Sequence, residues 1–185
     1  STSFMAASTP GRETCVIRGA GSGRTRLRSS SGYKGLSLYG NWILEGIHLQ
    51  MLDTRALVAV SLDNGRSILR DCVIEGVGSA QPIGVTCDFN SGVILSGCVF
   101  RHLEVAVRLE DNFSPATASN CEFTGLGVVV YAQQDHSGFQ AVNCTIADIG
   151  PSLLRPFEGA YMNVSLTNCI VWNAPSELGG SGLGV

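Results

Sequence analysis

The residues best able to do chemistry in this chain recur at matched places in four segments. Val58, Val60 and Leu62 alternate with Ala59, Ser61 and Asp63, and Ile83, Val85 and Cys87 alternate with Gly84, Thr86 and Asp88. The same phase returns in Val105, Val107 and Leu109 against Ala106, Arg108 and Glu110, then in Val128, Val130 and Ala132 against Val129, Tyr131 and Gln133. A period of two predicts strands with one face inward, so the polar members are expected outward. Stacked in register they make one row of Asp63, Asp88, Glu110 and Gln133 and another of Ser61, Thr86, Arg108 and Tyr131. Adjacent carboxylates of the first row are then about 5 Å apart and next-nearest ones nearly 10 Å. Anions that close repel one another unless a proton, a cation or Arg108 intervenes.

That row predicts a site for sugar polymers. A separation of roughly 5 Å suits the two carboxyls of a retaining glycosidase, and about 6.5–9.5 Å those of an inverting one. Asp88 and Glu110 are the expected acid/base pair, with Asp63 a third carboxylate. The three together are also the expected ligands if Ca²⁺ serves a lyase reaction. Arg108 is expected to neutralise charge or meet a uronate carboxylate, Tyr131 to stack on a sugar, and Gln133, Thr86 and Ser61 to supply polar contacts. Ala59, Gly84 and Ala106 predict a flat floor on the same face, and Asp111, Asp135 and His136 lie just past the strand ends, where a turn can bring them to the rim. His48 and His102 are expected outward and solvated. A plainer reading stands beside this one: outward strand positions are commonly charged, and Asp near a strand end often only turns the chain.

The elements that position these rows are legible in a second pattern. Six segments align on positions 47, 72, 98, 121, 144 and 169, spaced 25, 26, 23, 23 and 25 residues apart. Each reads apolar, any residue, a bend residue, an aliphatic or Cys, any residue, apolar, as in Leu69-Arg70-Asp71-Cys72-Val73-Ile74. The bend position holds Gly46, Asp71, Gly97, Asn120, Asn143 and Asn168. Those three residue types enter the left-handed backbone region most easily, so a sharp corner is predicted at each. Two strands and a fixed corner every 24 residues or so, with no helical period between them, describe a parallel β-helix of about seven coils. A leucine-rich repeat would need a further Leu frame and a helical segment, and neither is legible.

The Asn-bearing bends, the Cys and aliphatic positions beside them and the Gly-rich returns resemble the right-handed parallel β-helix of the pectate-lyase-like superfamily. Ile17, Gly19, Gly21, Thr25 and Leu27 are similar to the opening coil of β-helical carbohydrate enzymes. The resemblance spans residues 14 to 174 and implies a right-handed coil, a saccharide substrate, an extracellular or cell-surface setting and an arginine proton acceptor, for which Arg108 is the candidate. Gly23-Arg24-Thr25 imitates a phosphate loop but lacks its lysine and the helix that must follow.

Composition bounds the rest. With 185 residues and 44% hydrophobic content, one continuous core and one domain over 1–185 are expected, with a lead-in at 1–13, coils over 14–174 and a Gly-rich tail from 175. A net charge of −3, with Lys34 the only lysine, argues against nucleic acid and anionic membrane as partners. Cys72, Cys98, Cys121, Cys144 and Cys169 fall on inward positions, and Cys87 is inward by phase. Buried free thiols are expected there rather than disulfides or a metal site, and they lean toward a reducing compartment. The chain opens on Ser1, which is expected where a leader has been removed. No cap helix is legible at either end, so association of copies through the ends is expected as an alternative use. The alternative function is a non-enzymatic module that binds a protein partner or itself.

Overall fold

The computed structural model describes residues 4–7, 14–29, 34–52, 58–78, 81–111, 114–134, 137–151, 153–156, 162–174 and 183–184. Every strand pairing is parallel, and among the described residues there is no helix. Among the described residues the strands build three sheets of seven, eight and seven strands, each coil contributing in turn to all three. The first sheet carries Lys34–Tyr39, Val58–Asp63, Ile83–Asp88, Val105–Leu109 and Val128–Ala132. The second carries Asn41–Glu45, Arg66–Arg70, Gly92–Ser96, Pro115–Ser119 and Ser137–Val142, and the third His48–Met51, Val73–Gly76, Val99–Arg101, Glu122–Leu126 and Thr145–Ile149. Three strands per coil replace the expected two. The segment before each bend residue is itself a paired strand, because its inward Leu69, Leu95 and Ala118 alternate as strictly as the residues after the bend.

The six predicted corners are all left-handed. Gly46, Asp71, Gly97, Asn120, Asn143 and Asn168 have φ of 64, 51, 62, 52, 54 and 51°. At Gly97 a Cβ would come within 2.5 Å of Asp71 Oδ1, a contact the Asp71 side chain can relieve by turning, so Gly serves this corner chiefly through its φ. Further along, Asn168 Nδ2 donates to Asn143 Oδ1 at 2.6 Å, tying one corner to the next.

The core is one continuous column. Leu44, Leu69 and Leu95 of the second sheet face Leu62, Val85 and Val107 of the first and Leu49, Ile74 and Phe100 of the third. Phe100 stacks on Phe123 with ring centroids 5.2 Å apart, and Phe123 meets Phe139 edge-on at 6.3 Å. Trp42 is buried in this column, its Nε1 donating to Tyr39 O at 3.0 Å. Cys72, Cys87, Cys98, Cys121 and Cys144 are buried free thiols, while Cys169 and Cys15 are half-buried. Burial pushes the Cys87 thiol up to about 12, which leaves it without thiolate character.

The inward and outward assignment of the first sheet changes at its entrance. Ala59, Ala106 and Val129 belong to the core column, while Val58, Ile83, Val105 and Val128 form a separate apolar cluster on the opposite face. A Cβ on Gly84 would meet Phe100 Cδ1 and Leu103 Cδ1 at 3.1 Å, so this position points inward too. The expected small-residue floor of Ale-type side chains at Ala59, Gly84 and Ala106 is therefore inside, not outside. The ladder is interrupted at the same place in each coil: Val58, Ile83, Val105 and Val128 pair in register, as do Val60, Val85, Val107 and Val130, and the residue between them is left out of the pairing.

Candidate functional site

Beyond that break the two outward rows stand as expected. Ser37, Ser61, Thr86, Arg108 and Tyr131 are register partners in succession. Tyr39, Asp63 and Asp88 are likewise, and the row continues as the Glu110 amide donates to Cys87 O at 3.0 Å and the Gln133 amide to Leu109 O at 2.8 Å. Parallel pairing of coil on coil is what brings residues 63, 88 and 110 onto one line, although the step shortens from 25 to 22 residues.

Asp88 is the centre of the cluster. Its Oδ2 accepts from Ser61 Oγ at 3.2 Å and lies 3.6 Å from Lys34 Nζ, which also donates to Ser61 Oγ at 2.8 Å. Glu110 stands beside Asp88 in this row, where ionising both carboxyls places two negative charges together. Burial and the neighbouring Asp88 carboxyl push Glu110 up to about 7, against the pull of Arg108 and Lys34. Burial and the Asp88 charge also raise Asp63, with Lys34 opposing. Arg108 Nε is 2.8 Å from Glu110 Oε1, Nη2 donates to Gln133 Oε1 at 3.2 Å, and the guanidinium lies 5.9 Å from the Tyr131 ring centroid. Thr86 is 3% exposed, and among the described residues neither its Oγ1 nor Asp88 Oδ1 has a hydrogen-bond partner.

Next to this cluster, toward the start of the strands, a groove of about 490 Å³ opens over Ile83, Val105 and Val128. Glu104, Gly127 and Pro151 form one side and Arg108 and Tyr131 the other. Its position follows from coil length. The return from the corner strand takes 11 residues from 72 to 83 but 7 from 98 to 105, so the later coils leave a ledge beside the longer ones.

The remaining candidates fare differently. Asp111 serves a turn: its Oδ2 accepts from the Asn90 amide at 2.8 Å and its carbonyl from Ser137 Oγ at 3.3 Å. Asp135 and His136 lie outside the described residues. His102 is exposed and sits at a left-handed corner, φ 54°. His48 is a correction: it is 6% exposed, its Nε2 2.9 Å from Glu75 Oε1. It points outward, as its phase predicts, but is covered there by the Glu75 side chain from the next coil. Burial raises the Glu75 carboxyl, yet hydrogen bonds from Gln50 and Arg101 and the Arg101 charge outweigh it and hold Glu75 below its ordinary range. Lys34 and Glu75 were not singled out by sequence, since their partners, Ser61 and Asp88 for Lys34 and His48 for Glu75, lie off the register that the repeat predicts. Among the described residues no group of three or more His, Cys, Asp or Glu side chains is arranged to hold a metal ion. Asp63, Asp88 and Glu110 do not fit Ca²⁺ here, because Lys34 already supplies the counter-charge and Glu110 favours its proton.

No curated protein matches this chain. A family model described as "Right handed beta helix region" matches residues 35–183, which is most of the chain and includes every residue of the acidic cluster except Lys34. With its all-parallel three-sheet coil and left-handed corners, the protein belongs to the right-handed β-helix family.

Proposed function

We propose that the outer face of the first sheet recognises and hydrolyses a polysaccharide, with Asp88 and Glu110 as its working carboxyls. The observation that carries this reading is placement: Glu110, pushed up to about 7 by burial and the Asp88 carboxyl, stands in one row beside an Asp88 held by Ser61 and Lys34. Near neutral pH one carboxyl of such a pair can donate a proton to a leaving oxygen while the other stays an anion. Glu110 is the acid, and Asp88 is the anion that meets the sugar carbon or its attacking water. Neighbouring strands are about 4.8 Å apart, closer to the retaining spacing than to the inverting one. Asp63 and Lys34 set the charge around Asp88, Arg108 orients Glu110 and Gln133, and Tyr131 offers a ring to a sugar face.

The test is a reducing-end release screen over neutral and acidic polysaccharides with wild type, Asp88→Asn and Glu110→Gln. A polymer cut by wild type should be cut at least about 100-fold more slowly by each variant. Equal rates for all three proteins on every polymer that is cut would remove these roles.

The reading as a binding module without catalysis is favoured by a different face. Val16, Ile43, Ile68 and Ile94 line up along the outside of the second sheet, with Val16 51% and Ile94 42% exposed. Under that reading a protein partner or a second copy covers this row. Light scattering of wild type and Ile94→Lys separates the two: a dimer lost in the variant supports self-association, and a monomer in both removes it.

A further inference from the structure

The first described coils enclose space that the later coils fill. Independently of the saccharide reading, we propose that this cavity binds the alkyl chain of a fatty acid, whose carboxylate meets Arg28 at the mouth. Three observations carry it.

The first is the space. A cavity of about 330 Å³ lies between Leu27, Leu49 and Met51 of the third sheet, Leu36 of the first and Ile17 of the second. Its origin is visible in the core ladders. The inward residues of the third sheet are Phe100 and Phe123 in later coils but Leu27, Leu49 and Ile74 in the early ones. Three residues further on, Leu103, Leu126 and Ile149 are buried in the core, whereas Leu52 and Val77 at the same place are exposed. Smaller ladder residues without a buried neighbour at the corner leave volume unfilled in an otherwise close-packed column. The cavity reaches the surface beside Leu27, which is 39% exposed.

The second is the wall. Among the described residues that line the cavity, Ile17, Leu27, Leu36, Leu49 and Met51 offer no hydrogen bond, and the polar ones, Arg28 and Ser29, are neighbours on one strand. A ligand that fits is therefore apolar along its length and polar at one end, since a hydroxyl buried among these side chains would go unpaired. No aromatic face is offered for a ring to stack on. The volume is at the small end of ligand sites, which suits a single chain.

The third is charge. Residues 14–44 carry Arg18, Arg24, Arg26, Arg28 and Lys34 and no carboxylate. Arg18 is paired with Glu45 and Lys34 with Asp88. Arg28, by contrast, donates through Nε to the neutral Gln50 Oε1 at 2.9 Å, which leaves its charge and both Nη groups for a ligand. It is exposed and lies on Arg26–Ser29, the outermost described strand of the third sheet, next to Leu27. The two Nη groups of a guanidinium take the two oxygens of a carboxylate in parallel.

The test is isothermal titration calorimetry of the full chain with hexanoate, octanoate and decanoate below their micelle-forming concentrations, with octanol and benzoate for comparison. Affinity should rise about threefold with each added methylene until the cavity is full. Octanoate should bind about fivefold tighter than octanol, and benzoate no tighter than hexanoate. Arg28→Met should remove the preference for octanoate over octanol and leave octanol binding unchanged. Leu49→Phe, which puts the ladder residue of the later coils into the cavity, should abolish binding of every chain; Leu27→Phe serves if that variant does not fold. No binding by any of the three chains, octanol as tight as octanoate, benzoate as tight as octanoate, or binding unmoved by the Phe variant would overturn the inference.

Discussion

The carboxyl proposed as the acid, Glu110, also couples the stability of the fold to pH. Its folded-state pKa of about 7 exceeds an ordinary 4.5, so the fold prefers it protonated. The contribution is fully present below pH 4.5 and is lost as pH rises toward 7. Asp63, also raised, acts in the same sense at lower pH. Glu75 acts oppositely: its lowered pKa gives stability that is present above its unfolded value of 4.5 and lost as pH falls through the folded one. Wild type should therefore be most stable at mildly acidic pH. In melting temperatures taken from pH 3 to 9, Glu110→Gln should flatten the limb above pH 5 and Glu75→Gln the limb below it. A wild-type profile still rising from pH 5 to 8 would contradict the proton on Glu110. Lys34→Met should cost about 1 kcal/mol at pH 8, where all three carboxyls are ionised, and less at pH 5. Chemical denaturation at the two pH values reads this directly.

The strands and corners show which parts of the structure a sequence can announce. A corner needs φ near 50–60°, and only Gly, Asn and Asp adopt that cheaply, so the six bends were readable from residue type alone. Asn143→Ala should destabilise the protein by about 1–2 kcal/mol, and Asn143→Gly by much less, as measured by urea midpoints. Equal losses would mean that the Asn168 hydrogen bond, not the backbone, is what position 143 supplies. The phase break at the entrance of the first sheet was not readable, because Ala59, Gly84, Ala106 and Val129 are compatible with either face and only the pairing across coils decides. Position 84 tests that correction. If it points outward, Gly84→Val is harmless. Pointing inward, its added atoms meet Phe100, Leu103 and the Ala106 carbonyl, 2.6 Å from Cβ, and the variant should lose more than about 2 kcal/mol in the same assay. The His48–Glu75 contact was hidden for a related reason: long side chains reach diagonally between coils, and periodicity reports only which face they leave from.

At the scale of the whole molecule, the solenoid turns a sequence period into a surface. Equal coil lengths stack like residues into rows, and unequal ones leave ledges, so the acid row and the groove beside it are two results of one repeat. The family match extends from residue 35 to 183 and so accounts for the scaffold, while the proposed chemistry rests on a handful of outward side chains on one of three sheets. The most direct measurement is amide shift mapping by NMR with whichever saccharide binds. The account predicts perturbations concentrated in Ile83–Asp88, Val105–Glu110 and Val128–Gln133. Shifts gathered instead on the second or third sheet, with those three segments silent, would contradict it.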